Sequence, residues 1–311
     1  MVAMRDGRIL HGVWRLLRRL PPSAARRAAR LLAGTQAMRE SGYGKAAYRI
    51  SPRLAGENPG LGKIPPRWAA TVRVRRNGLR LELDLRDNLQ AILYYTGRYE
   101  PDVLRFLRRE LQAGDVVVDV GAHIGVHALA AARILRRSDG RVVAFEPASD
   151  SATKLRAAAH RNRLRVEVVQ TALGARPGTA GLYGDARYDA ADAGVRSQYG
   201  DAALVEQVPV RTFDAWAEET GLSRLDVVKI DVEGAEAAVL TGMSRSLRTL
   251  RPRAVLVEVK QRERTDTSAE ELRELLRAHG YAKAARLGHN ELFRPAGVWR
   301  GSRSTGRARR G

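Results

Sequence analysis

The sequence predicts an α/β fold built on a mostly parallel sheet, and three observations predict it. The run Val116-Val117-Val118-Asp119-Val120 is apolar but for one acid, as in a strand covered on both faces. It breaks at Gly121 and Gly125 into an apolar stretch with helical spacing. From Gly114 onward, strand-like and helix-like segments alternate, which favours parallel strands joined by crossover helices. With 311 residues, 44% hydrophobic and 29% charged, the chain can bury a sizeable core in one large domain with extensions.

The elements follow in chain order. From Ile9 to Leu20 apolar residues recur at helical spacing among arginines, and Pro21-Pro22 ends the pattern. Ser23 to Ala33 reads as a second short helix, capped by Ser23 and stopped at Gly34. Gly42 to Pro66 is rich in Gly and Pro, so residues 1–66 form a basic helical and irregular N-terminal extension. The main domain spans 67–294. It opens with a hairpin over 71–85 turning at Asn77-Gly78, two residues that accept positive φ. A helix from Asn88 to Thr96 follows, and Pro101 opens another that runs to Leu111.

Strands are then expected at 115–120, 141–145, 166–171, 205–211, 226–231 and 254–259, and helices at 126–136, 149–162, 212–220, 235–250 and 268–279. A strand pair at 281–287 and 290–293 closes the domain. The insertion 174–200, with Tyr183, Tyr188, Tyr199, Arg187 and Arg196, shows no clean period and reads as an irregular loop on the substrate side. Residues 295–311 are basic and polar, the composition of a disordered tail.

Composition excludes several functions. There is no cysteine, hence no thiolate nucleophile, cysteine-ligated zinc or iron–sulfur cluster. No apolar run approaches the roughly 18 residues of a membrane span, so the reading is cytoplasmic and non-spanning; the basic helix at 9–20 is expected to pack on the core or on a partner subunit, with peripheral membrane contact as the alternative. The net charge of +21 invites a nucleic-acid partner. Yet 49 of the 55 basic residues are arginine, spread along an alanine-rich chain as a composition bias would spread them, and nucleic acid is not the favoured partner.

In an open parallel sheet ligands sit outside the carboxyl ends of the strands. Those ends carry Asp119 with the loop Gly121-Ala122-His123-Ile124-Gly125, then Phe145-Glu146-Pro147, then Lys229-Ile230-Asp231-Val232-Glu233-Gly234-Ala235-Glu236, then Glu258. Glu146 stands about 25 positions after Gly121, near the spacing of a carboxylate that holds ribose hydroxyls. Several carboxylates at strand ends describe a site for a ribose-bearing ligand with a positive centre. A dinucleotide would want a third glycine and a helix N-terminus free of acid. Glu236 in a first helical turn is explained about as well by the helix dipole.

These blocks, with Ala172-Leu173-Gly174 and the lead-in Gly97-Arg98-Tyr99-Glu100-Pro101, resemble the FkbM-type family of S-adenosylmethionine-dependent methyltransferases over Tyr99 to Glu258. The most discriminating part is Lys229 to Glu236. The resemblance implies a class I methyltransferase (Rossmann-like) fold, a seven-stranded, mostly parallel sheet with helices on both faces, and S-adenosyl-L-methionine as cofactor. It implies that Asp119, Gly121 and Gly125 hold the methionine end, that Glu146 accepts from the ribose hydroxyls and that Thr171 and Ala172 border the adenine, with Glu100, Ala122, His123, Pro147 and Asp231 also at the cofactor. Asp231 and Glu233 would face the transferred methyl. His123 stands where the family commonly has Asn.

Removing a hydroxyl proton during transfer needs a base. Asp231 and Glu233 are the catalytic candidates, with His123 behind them, and Lys229, two residues from Asp231 on the same strand face, could keep that carboxylate ionised. Oxygen ligands at Asp231 and Glu258 would suit Mg²⁺, but without a third ligand no metal is assigned. The expected activity is O-methylation of a hydroxyl on a small molecule, glycan or glycolipid. The alternatives are ribose 2′-O-methylation of RNA and, less favoured, an NAD(P)-dependent oxidoreductase.

Overall fold

The computed structural model describes residues 71–84, 87, 89–90, 93, 97–185, 194–195, 202–259 and 268–297. The helices expected at 9–20 and 23–33, the connection 42–66, the tail beyond Gly297, and Tyr188, Tyr199, Arg187 and Arg196 lie outside the described residues. The first described element is the predicted hairpin, β1 (Thr71–Arg76) and β2 (Leu79–Asp84), paired antiparallel about Asn77 (φ 50°) and Gly78 (φ 76°). Leu89, Gln90 and Leu93 are helical, inside the helix expected at 88–96.

The helix α1 (Pro101–Glu110) leads into β3 (Val116–Val120), α2 (Val126–Leu135), β4 (Arg141–Phe145), α3 (Ser149–Asn162) and β5 (Glu167–Val169). Then come β6 (Ala172–Leu173), β7 (Gly178–Asp185), β8 (Gly194–Val195), β9 (Ala202–Arg211), α4 (Phe213–Glu219) and β10 (Val227–Ile230). The chain closes with α5 (Glu236–Gly242), α6 (Ser244–Thr249), β11 (Ala254–Glu258), α7 (Ala269–Ala278), β12 (Tyr281–Leu287) and β13 (Asn290–Pro295).

Seven strands form the central sheet in the order β12-β13-β11-β10-β3-β4-β5. β11, β10, β3, β4 and β5 run parallel, and β13 enters antiparallel between β11 and β12. Alternation along each strand sends Val117, Val227 and Leu256 to one face, beneath α1, α2, α3 and the hairpin. It sends Val118, Val228 and Val257 to the other, beneath α4, α5, α6 and α7, where Phe145, Phe213 and Trp216 stack edge to face.

Two expectations are corrected. The insertion 174–200 is not irregular throughout: β7 pairs along β9, and with β6 and β8 they make a separate four-stranded sheet. Glycine and alanine in β7 mask the period that larger side chains would show. The helix expected at 235–250 is two helices broken at Met243. A Cβ on Gly242 would lie 2.0 Å from the Gly174 carbonyl oxygen, so the backbones touch there. Asp214 then caps the second helix, accepting from the Arg245 and Ser246 amides at 2.8 Å each.

At the amino ends of the strands, Arg253 clamps the sheet. Its guanidinium donates to Asp115 at 2.5 Å, Asp226 at 3.1 Å and Glu110 at 3.1 Å. Asp115 is fully buried. Arg253→Met would leave that carboxylate only the Gln112 amide at 2.7 Å and Arg224 at 3.4 Å and is expected to cost roughly 3 kcal/mol, read as a lowered urea midpoint with unchanged slope.

Candidate functional site

The site assembles at the opposite, carboxyl ends of the strands. Asp119 of β3 pairs in register with Lys229 of β10, and Lys229 with Leu256 of β11. Glu258 therefore comes level with Asp231, and all four side chains leave the sheet on the face covered by α1 and α2. Asn290 of β13, paired with Glu258, extends the line.

Lys229 sits at the centre. Its ammonium is buried and lies 2.9 Å from an Asp231 carboxylate oxygen. Burial works against the charge, but Asp231, Asp119 and Glu100 outweigh it and push the group above the ordinary lysine range. Asp119 is itself buried, and burial, partly offset by Lys229 and the Ala128 amide, raises its carboxyl.

The glycine loop is shaped by protein contacts as much as by any ligand. The Gly121 and Ala122 amides both donate to the Phe145 carbonyl at 3.0 Å. At φ 79°, a Cβ on Gly121 would fall 1.8 Å from the Asp231 carbonyl oxygen, so only glycine lets β3 and β10 end side by side. At Gly125 (φ 83°) the obstacle is Leu155 of α3, at 2.0 Å.

His123 takes positive φ (50°), and its amide donates to Glu146 at 2.6 Å. Glu146 reaches around Pro147 to accept from the Ala148 amide at 2.9 Å. Burial pushes the Glu146 carboxyl up, against the pull of His123 and these amides. The His123 ring lies 3.2 Å from the buried Asp87 carboxylate, which also accepts from the Gln90 amide at 2.8 Å. Burial works to raise Asp87, but His123 and the Gln90 contacts win and hold it below the usual carboxylate range.

Glu100 (φ 40°) comes from the lead-in. It accepts from Asn290 Nδ2 at 2.7 Å and lies 3.2 Å from His127 Nε2. Burial, with Lys229 adding to it, holds His127 well below the usual range and so neutral. Tyr99 packs against His127 with ring centroids 5.9 Å apart. Burial and the charges of Glu100, Asp231, Glu258 and Glu233 keep its phenol protonated.

Glu233 (φ 56°) projects from the β10–α5 loop, where Glu236 accepts from the Val232 and Gly234 amides at 3.2 and 3.1 Å. Carboxylate oxygens of Asp231, Glu233 and Glu258 lie within 4.8 Å of one another, so Glu233 stands where it could offer a third oxygen beside the two that the sequence reading named. Thr171 spends its hydroxyl on the Pro209 carbonyl at 2.8 Å, and Ala172 packs into the second sheet.

Asp87, His127 and Asn290 were not singled out from sequence. Asp87 sits in an ordinary polar stretch and Asn290 in a hairpin, and no spacing relates either to the loop it serves. His127 was hidden in a helical period.

A seven-stranded sheet with an inserted antiparallel strand, a glycine loop after its first strand and carboxylates at the next strand ends define a class I methyltransferase, the class that uses S-adenosylmethionine. The chain belongs to the FkbM methyltransferase family: residues 119–283, over half of it, match the Methyltransferase FkbM domain. It is 33% identical over 204 residues to the 31-O-demethyl-FK506 methyltransferase FkbM of Streptomyces tacrolimicus, covering 57% of this chain and 76% of that protein. It is 29% identical over 164 residues to the hexuronic acid methyltransferase AglP of Haloferax volcanii, covering 52% of this chain and 63% of that protein. A solved FkbM methyltransferase from Methylobacillus flagellatus KT, 14% identical, superposes with a TM-score of 0.41 over 66% of this chain and 54% of that one, a loose likeness of shape. No helix among the described residues is long and apolar enough to cross a membrane.

Lys229→Met would leave Asp119 and Asp231 without their cation and is expected to destabilise the fold by roughly 3–5 kcal/mol at neutral pH. Without the ammonium the carboxyls take up protons more readily folded than unfolded. Acid therefore favours the folded variant, and the gap to the native protein should narrow between pH 7.5 and 5 in thermal melts. A gap that widens would contradict this account.

Asp87→Asn should loosen the glycine loop. Expected is a weakening of S-adenosylhomocysteine binding, of roughly tenfold on the scale of one charged hydrogen bond, by calorimetry.

Proposed function

We propose that this protein transfers a methyl group from S-adenosylmethionine to a hydroxyl oxygen of a glycan or other small molecule. The observation that carries the reading is the row of Asp119, Lys229, Asp231 and Glu258 on one sheet face, with Glu146 at the neighbouring strand end. The residues suit the cofactor: a buried carboxylate at Asp119, a second carboxylate at Glu146, and more acid than the one lysine neutralises. The relatives' names support the acceptor class, one being a hexuronic acid methyltransferase and the other acting on demethyl-FK506.

In this reading Asp119 and Glu100 hold the amino-acid end of the cofactor, and Glu146 holds the ribose hydroxyls. His123 belongs to the cofactor side, fixing the loop through Asp87 and Glu146. Thr171 and Ala172 border the adenine through their backbone. When bound, S-adenosylmethionine supplies an electrophilic methyl on a sulfonium. The chain aligns the acceptor, a gain that can reach about 7–11 kcal/mol in well-oriented systems.

Asp231 keeps its charge beside Lys229 and orients the acceptor hydroxyl, and Glu233 takes the proton. The α1 lead-in, through Tyr99 and Glu100, walls the site from bulk water. Partner choice beyond the acceptor, including contact of the N-terminal segment with a membrane, is a separate matter for residues 1–66.

Labelled-methyl transfer to hexuronic acid glycosides and to 31-O-demethyl-FK506, with product identification, tests the activity. Glu233→Gln is expected to lower kcat roughly 10²–10⁴-fold and remove a limb of the pH profile, whereas Asp231→Asn should act mainly on KM. The raised carboxyls of Asp119 and Glu146 take up protons sooner than ordinary carboxylates as pH falls. Affinity for S-adenosylhomocysteine should thus decline from pH 7.5 to 5.5, and an affinity that is flat or rises would refute those roles.

A further inference from the structure

A cavity of about 320 Å³ opens where the C-terminal ends of α2 and α3 meet the β1–β2 hairpin. Its volume falls in the range of small-ligand sites, roughly 300–1,000 Å³. Five of the nine residues lining it are arginines: Arg80, Arg133, Arg136, Arg161 and Arg163. We infer that this cavity is an anion site for a phosphate-bearing group, separate from the methyl-transfer site.

The wall is fixed. Asn162 accepts from the Arg80 amide and donates to the Arg80 carbonyl, both at 2.8 Å, and so ties the end of α3 to the edge of β2. Arg133 donates to the Gly78 carbonyl, and Arg161 pairs with Glu82 at 2.9 Å. Those two arginines have structural work. The other three do not: Arg80, Arg136 and Arg163 are exposed, and among the described residues their side chains have no ion-pair or hydrogen-bond partner.

The ordinary reason for arginine at a helix end is the dipole. Two helix C-termini together present about one negative charge, and Glu82 adds one more. Five guanidiniums therefore leave an excess of about three positive charges around one cavity. Arg136 and Arg163 are moreover the C-cap residues of α2 and α3, and Arg163 holds φ 54°, a conformation that glycine or asparagine takes at less cost. Planar guanidinium forks matched to phosphate oxygens account for the arrangement, because an anion relieves their repulsion. Ile134, 37% exposed on α2 between Arg133 and Arg136, is an apolar side chain beside the arginines that the chain of a lipid offering such a headgroup would meet. A soluble phosphate ester would use the arginines alone.

The test uses the full chain and the double variant Arg136→Gln/Arg163→Asn, which removes two unpartnered cations and gives the left-handed position a residue that accepts it. Calorimetry with pyrophosphate at 0.15 M salt should show one saturable site, weakened roughly tenfold or more in the variant. S-adenosylhomocysteine binding should be unchanged, showing that the fold and the other site are intact. In sedimentation with phosphatidylglycerol or phosphatidylcholine vesicles, binding to the anionic vesicles that falls to the phosphatidylcholine level in the variant assigns the phosphate to a lipid headgroup. Pyrophosphate binding without vesicle binding assigns it to a soluble ester. If neither probe binds, or if the variant binds both as well as the native chain does, the inference is overturned.

Discussion

The ammonium of Lys229 is the constraint on which the rest of the site depends. Three carboxylates converge on it from separate parts of the chain: Asp119 from β3, Asp231 from the loop after β10, and Glu100 from the segment ahead of α1. A buried cation without them, or the carboxylates without the cation, would carry an uncompensated desolvation cost of several kcal/mol. Folding therefore brings all four together or leaves the carboxyl end of the sheet open. The acids outnumber the lysine, and the residual negative charge suits a cationic cofactor.

That coupling explains why the glycines matter in an unexpected way. Gly121 is read in sequence as a residue that lets a ligand approach, but its missing Cβ makes room first for the Asp231 carbonyl. The close approach of these two loops goes with the β3–β10 register that sets Asp119 opposite Lys229, with Asp231 two residues further on. Gly125 does the same for α2 against Leu155. The loop is held by contacts within the protein, the kind of fixed geometry that alignment chemistry needs.

The site also extends past the matched domain on both flanks. Asp87 and Glu100 precede residue 119 and Asn290 follows residue 283, yet they hold His123, His127 and the lead-in in place. Local motifs could not disclose them, because a polar residue in a loop carries no periodicity and its partner is far away in sequence. The departure at His123 has a physical counterpart in Asp87: an imidazole in the glycine loop is matched by a buried carboxylate at 3.2 Å.

What the sequence determined by itself was whatever local pattern encodes. The valine run, the Asn77-Gly78 turn and the strand and helix alternation gave nearly every element of the central sheet. The acids at strand ends were legible because topology rules place ligands there. Only the tertiary structure decided three matters. Helix 235–250 breaks because Gly242 meets the Gly174 backbone and Asp214 caps a new start. Residues 178–185 become a strand because β9 offers an edge, although glycine and alanine hide the period. Asp87, His127 and Asn290 join the site through contacts between distant segments, and such contacts are set by how the layers pack and leave no signature in the residues alone.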